Sequence, residues 1–298
     1  MMRLGAIFLL LSSSGCSVRA FATNSLANAI SGTSTVYASD GDPELVREAV
    51  PFGLKTMEQI LDEQPRHVGL LMALARGFVQ YSYAFVQQEA DFAEDKEMGR
   101  AQRLRLRARK LYLRARDYGL RGLEAAHPGL RAKLIDGKSS LAVTVKEDVP
   151  LLYWTGVAWS LAVANGMDEM KLVGDLPTIE AVMARALALD ESWGAGAIHE
   201  FYVAYDGGRG ANEGGGPERA RAHLDRALAL AQNKKLGPLV SYAEAVSVTR
   251  QDRAEFRRLL EQVLAVDLDA VPSERLVNTL AQARARWLLS RVDELFAE

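Results

Sequence analysis

Cysteine is almost absent from this chain of 298 residues. Cys16 is the single one, which excludes an intrachain disulfide and a cysteine-based zinc site. Proline is limited to 9 residues, so few positions oppose a helix. Runs of β-branched residues are scarce, which leaves little that favours strands. Histidine occurs four times, as His67, His127, His199 and His223. The pair His199-Glu200 does not extend to the HExxH of a zinc peptidase, because position 203 is valine. Neither GxGxxG nor the GxxxxGK phosphate loop is present, and no GxSxG elbow is found. No sign of charge dominates: 36 Lys and Arg stand against 38 Asp and Glu, a net charge of −2. That balance argues against broad nucleic-acid binding. No enzymatic activity, cofactor or metal is expected.

What is abundant is helix-forming composition, rich in Ala, Leu, Arg and Glu. Residues 1–16 read as an export signal. A short positive start at Arg3 precedes the apolar run Leu4 to Leu11, far below the ~20 residues needed to span a bilayer. Small residues then end at Cys16, the pattern of a lipoprotein signal in which the cysteine is lipidated, although Ser13 stands where leucine is usual. An ordinary signal cut near Ala20 or Ala22 is the other reading. Either predicts an exported, periplasmic protein. Residues 17–41 read as a tether with a short helix around Leu26, Ala29 and Ile30, and 42–298 as one helical domain.

The domain repeats itself. Asp42-Pro43-Glu44 is a helix start with its N-cap and first-turn proline. Pro51 is expected to kink or split the helix begun there. Gly53, Met57 and Ile60 have the spacing of a second helix of a tetratricopeptide-type repeat. Leu71, Leu74, Ala75 and Phe78 match the next first helix. The pattern returns at Leu152, Thr155, Gly156 and Trp159, at Ile179, Met183 and Ala186, at Ile198, Phe201, Tyr202 and Tyr205, and at Ala220, Leu224 and Ala227. It recurs at Leu239, Tyr242, Ala243 and Val246 with Phe256, Leu260 and Val263. A final helix over 275–296 starts from Ser273. The positions Ile60, Leu123, Ala186, Ala227 and Val263 are unevenly spaced, and only the last interval is near the usual ~34-residue period. The fold class expected is therefore all-α, an irregular tetratricopeptide-like solenoid of about ten helices.

Three stretches stand out against this frame. Between Asp91 and Arg116 the chain turns from acidic to basic, with Arg100, Arg103, Arg107, Lys110 and Arg114 on one helical stripe. That stripe reads as a solvated face or as a surface for an acidic partner. The glycine-rich loop Gly207 to Gly216 precedes a helix, but without a preceding strand it reads as a connection rather than a phosphate site. Aromatics crowd the first helices, where a solenoid presents its concave surface. Tyr83, Tyr153, Trp154, Tyr202 and Tyr205, with His199, are the candidates for a groove that takes an apolar ligand or a partner segment. Tyr202 fills a normally small position, and the long loop after it marks where a pocket is expected.

Together YSYAFVQQEAD, LLYWTG, HEFYVAYDGGR and RARAHLDRALAL resemble the T component associated with tripartite ATP-independent periplasmic (TRAP) transporters, over roughly Val36 to Phe296. The resemblance implies a lipid-anchored periplasmic protein of tetratricopeptide-like repeats. It implies association with the transporter's solute-binding protein, trimerisation, and passage of an apolar ligand through a channel. A general scaffold for envelope assembly is the other function class that the repeats allow.

Overall fold

The computed structural model describes residues 24–30, 35–137 and 141–297, and every regular element among them is helical. The expected signal at 1–16, Cys16 included, lies outside the described residues. A short helix α1 spans 24–30, where Ala27 rather than Leu26 is the buried residue. Helix α2 (Pro43–Glu63) begins as expected: the Asp42 carboxylate accepts from the amides of Glu44 and Leu45. Pro51 does not split it. Val46 on one side of the proline and Leu54 and Leu61 on the other are buried along one helix, so packing on both sides outweighs the one backbone bond that proline removes.

Helix α3 (Val68–Ser82) buries Leu71, Leu74, Ala75 and Phe78. It passes through a π turn at Tyr83–Gln87 into α4 (Gln88–Ala93). The charged stretch is thus divided. Its acids end α4 and fill the connection to α5 (Met98–Ala126), and its arginines reach back to them, Arg105 to Glu94 and Asp91 and Arg100 to Glu89. After α6 (Leu130–Ile135) and two 3-10 turns come α7 (Val149–Ala164), α8 (Met170–Val173) and α9 (Leu176–Leu189). Helix α7 is apolar on nearly every side, because it is packed between α3, α5 and α9. Its approach needs small residues: a side chain at Gly119 would meet Thr155, and one at Gly156 would meet Met183.

Helix α10 (Trp193–Gly207) starts with three residues of left-handed backbone, Gly194, Ala195 and Gly196, so its regular part begins at Ala197. A Cβ on Gly196 would press on the Ala227 backbone of α11 (Pro217–Leu230). Helix α12 (Gly237–Tyr242) runs through a second π turn at Ala243–Ser247, succeeded by α13 (Arg253–Leu264), α14 (Arg275–Ser290) and α15 (Val292–Leu295). The expected final helix begins at Arg275 behind a 3-10 turn that includes Ser273, with Glu274 at its N-cap, and it breaks at Arg291.

The order of packing is that of stacked helix pairs. Helix α3 packs on α5, α7 on α9, α10 on α11, and α12 with its π turn on α13. The first helices also touch in series, α3 to α7, α7 to α10, α10 to α12 and α12 to α14. This series then closes. Trp287 of α14 meets Phe92 of α4 with ring centroids 5.2 Å apart. Arg284 and Arg291 bridge to Asp91 and Asp95 at 2.8 and 3.0 Å. The Leu276 amide and the Arg275 guanidinium donate to the carbonyls of Ala38 and Ser39, each at 3.0 Å. The first helices therefore stand in a ring.

Candidate functional site

Residues spaced three or four apart lie on one helix face, and each first helix has a less buried face beside its core face. On α3 that face carries Met72, Arg76, Gln80 and Tyr83, opposite the buried Leu71, Leu74 and Phe78. Tyr83 is 41% exposed, yet its phenol is pushed up to about 12. Burial is the main cause, then Glu244, with Arg284 opposing and Glu200 and Asp91 adding to the rise. Those four groups come from α4, α10, the second π turn and α14. Tyr83 is thus an accessible phenol within electrostatic reach of four other helical segments. The two π turns meet there. Glu244 takes the Arg284 guanidinium at 3.2 and 2.6 Å, and the same guanidinium reaches Asp91 and lies 4.4 Å from the Trp287 ring centroid.

A second part of this face is aromatic. Tyr153 and Trp154 of α7 meet edge to face with centroids 4.9 Å apart. Trp193, which opens α10, lies 4.7 Å from Tyr153 and 6.4 Å from Trp154, its plane at 83° to that of Trp154. Tyr153 is buried, so it forms the floor of a corner whose walls the two tryptophans make. The Tyr153 phenol is pushed up by burial and then by Glu200. Glu200 is held above the usual carboxylate range by burial, with Lys235 opposing and Glu274 adding to the rise. Its carboxylate lies against Gly237, so close that a Cβ there would collide with it. Among the described residues no hydrogen bond or ion pair reaches the Glu200 carboxylate. The ammonium of Lys235 is given instead to the Gly194 carbonyl, at 2.5 Å.

The opposite face of α10 is filled, with His199 Nε2 and Arg209 Nε buried and without a hydrogen bond. His199 Nδ1 and His223 Nδ1, from α10 and α11, share a 2.8 Å hydrogen bond. Glu191 lies 3.4 Å from His199 Nε2 and Asp206 lies 3.7 Å from His223 Nε2. Tyr202 stacks on His223 with centroids 4.8 Å apart. Tyr205 stacks on Phe201 and donates to Glu180 at 2.9 Å, under the Arg209 guanidinium. The six residues Tyr83, Tyr153, Trp154, His199, Tyr202 and Tyr205 therefore divide. Of the first three, Tyr83 is exposed, Tyr153 is part of the core and Trp154 packs against that core. The last three pack α10 against α9 and α11, because bulky Tyr202 at a small position is accommodated by His223 rather than by opening the stack.

The glycine-rich loop forms a half-open depression of about 200 Å³, lined by Gly207, Gly210, Gly216, Val246, Thr249 and Arg250 among others. Its backbone is largely spent within itself: the Gly215 and Gly216 amides donate to the carbonyls of Gly210 and Asp206. Along α5, Arg100 and Arg114 of the basic stripe are taken up by Glu89 and Glu97 and by Glu58. Among the described residues no three His, Cys, Asp or Glu side chains are placed to hold a metal ion. No described helix is long and apolar enough to cross a membrane.

Sequence reasoning does not single out Trp193, Glu200, Glu244 or Arg284. The signal available is a carboxylate and a tryptophan that leave the apolar pattern of their helices. Which side of the helix they occupy depends on the left-handed start of α10 and on the second π turn, and neither is legible in spacing.

Two comparisons bear on this arrangement. The family model described as TRAP transporter T-component matches residues 39–296. A Treponema pallidum (strain Nichols) protein described as uncharacterized is 28% identical over 310 aligned positions, covering 95% of this chain and 94% of the relative.

Proposed function

The chain belongs to the TRAP transporter T-component family, a transport-associated family, and we propose that it works as a periplasmic accessory component of such a transporter. In this reading it binds the transporter's solute-binding protein and takes an apolar ligand into the space ringed by its first helices. The observation that carries the reading is the closure of the series of first helices, where Trp287 of α14 meets Phe92 of α4 and Arg284 bridges to Asp91; Tyr83, 41% exposed, stands in the π turn that joins α3 to α4. In this reading the cluster of Trp154, Tyr153 and Trp193, which pack on one another, supplies apolar surface for the ligand. Lipidation of Cys16 tethers the protein to the membrane, and assembly as a trimer accompanies it. The tetratricopeptide-like stacking is favoured by the serial contacts of first helices and by the pairing of each with a second helix.

Affinity capture from envelope extracts, with the partners identified by mass spectrometry, tests the partner. A solute-binding protein is the expected prey. Assembly factors recovered without any solute-binding protein would replace this reading with that of an envelope scaffold. In the same preparation Trp154→Ala is expected to weaken binding of an apolar fluorescent probe such as N-phenyl-1-naphthylamine while far-ultraviolet circular dichroism stays unchanged.

A further inference from the structure

The outer side of α2 is apolar where water would favour polar residues. Its buried stripe is Val46, Leu54 and Leu61. Leu45 and Phe52 lie two turns apart, on one face directed away from Leu54, and are 56% and 79% exposed. Tyr37 of the 35–42 segment is exposed beside them, its hydroxyl 3.9 Å from where a Cβ on Gly53 would lie. Leu26 and Ile30 of α1 are exposed as well, and α1 is held at the corner between α2 and α3 by Asn28, 3.1 Å from His67 Nε2. Apolar side chains scattered singly over a surface are ordinary. These five fall within residues 26–52, and two of them are aromatic. The exposed acids among them are Glu44 and Glu48, while Lys55 is paired with Glu58. Attraction to anionic headgroups or to an acidic protein is therefore not what this surface offers.

We infer that α1, Tyr37 and the outer side of α2 rest on a lipid bilayer, with Phe52 and Leu45 buried at the headgroup boundary. This rests on the anchoring of Cys16 proposed above and adds an orientation to it. Eight chain steps separate Cys16 from the start of α1 at residue 24, and they reach at most about 28 Å. A lipid on Cys16 thus keeps α1, and the corner that it packs on, close to the membrane. Apolar and aromatic side chains presented there leave water for the boundary of headgroups and acyl chains, where Trp, Phe and Leu are the usual anchors. A bilayer of zwitterionic lipid suffices, because the contact uses no basic cluster.

The test uses the full lipidated chain in vesicles of phosphatidylcholine and phosphatidylethanolamine. Cys16 is the single cysteine and the lipid occupies its sulfur, so Phe52→Cys and Leu45→Cys each supply one free thiol for an NBD fluorophore. Met170→Cys is the control, since Met170 is 81% exposed on α8, which packs on α7. All three side chains are exposed, so each variant is expected to keep the circular dichroism of the parent. Emission from positions 52 and 45 is expected to shift to the blue and to lose most of its intensity when lipids carrying a nitroxide at the headgroup are included. Emission from position 170 is expected to do neither. Water-like, unquenched emission from all three positions, with an intact mass that shows the lipid on Cys16, overturns the bilayer contact and leaves the anchor standing. A blue shift at 52 without quenching also overturns it and assigns this face to a second copy of the chain. Quenching at 170 as strong as at 52 overturns the orientation. An intact mass without lipid on Cys16 overturns the anchor and the orientation with it.

Discussion

The two faces of α10 obey opposite rules. Toward α9 and α11, the large polar side chains are tied to one another, although His199 Nε2 and Arg209 Nε are buried without a hydrogen bond. His199 and His223 bond each other, Tyr205 and Arg209 share Glu180, and Asp206, buried to 1% exposure, is approached by Arg219 and His223. Toward the ring, Glu200 has none among the described residues, and Tyr83 opposite it remains accessible. The first face fixes helix to helix, since a buried hydrogen-bonded network is specific and costly to disturb. The second face leaves polar groups that folding did not pair. A count of aromatics on α10 does not separate these roles; the state of the hydrogen bonds does.

The largest test of that contrast is Tyr202→Ala. It removes a buried ring from the first face and the stack on His223, and is expected to cost ~3 kcal/mol of stability. Chemical denaturation would measure it. Ligand affinity of the remaining folded protein should not change, and a selective loss of ligand binding at unchanged stability would erase the distinction between the faces.

Acidification comes next. Burial holds His199 below the ordinary 6.5, with Glu191 opposing and Arg226 adding to the depression. It holds His223 low likewise, with His199 and Arg219 adding and Asp206 opposing. The folded protein thus binds these protons less readily than the unfolded chain, so stability is full above about pH 6.5 and falls as the pH drops below it. Protonating both rings would also break the Nδ1 to Nδ1 bond, which needs one donor and one acceptor. The thermal midpoint is expected to decline between about pH 7 and 5, and His223→Gln should flatten that decline. A midpoint whose pH dependence is untouched by the substitution would show that the pair is not what titrates.

The smallest effect is expected from Glu200→Gln. Neutralising this half-buried carboxylate, which burial already holds above its usual range, is expected to raise stability slightly, by less than about 1 kcal/mol. A clear loss, read by the same denaturation, would mean that Glu200 is a structural member of the fold and that the two faces are alike.

Much of the architecture is legible in the residues alone. The spacing of Leu71, Leu74, Ala75 and Phe78, and of Ile179, Met183 and Ala186, places a buried stripe where one is found, because core burial repeats with the helix period. Gly156 and Thr155 mark a close helix approach for the same reason. Spacing does not carry backbone that leaves the period. The π turns at Tyr83–Gln87 and Ala243–Ser247 each add a residue to a helical turn and rotate the residues beyond it. The left-handed residues 194–196 reset α10 before His199 and Tyr202. That is why spacing groups His199, Tyr202 and Tyr205 with Tyr83, Tyr153 and Trp154, although the two sets lie on different faces. Pro51 shows the converse, a strong local signal overridden by burial on both sides of it.

The contact of α14 with α4 and the 35–42 segment gives the molecule the mechanics of a hoop. An open superhelix behaves as a spring, whose radius can drift as each joint flexes. In a hoop the staves are locked edge to edge, so the bore is set by how many staves there are and changes only in whole steps. Adding or deleting one helix pair would therefore alter the width of the hoop far more than any substitution along it. Cutting the Arg284 and Arg291 latch would turn a fixed bore into an adjustable one without removing a single residue that lines the aromatic corner.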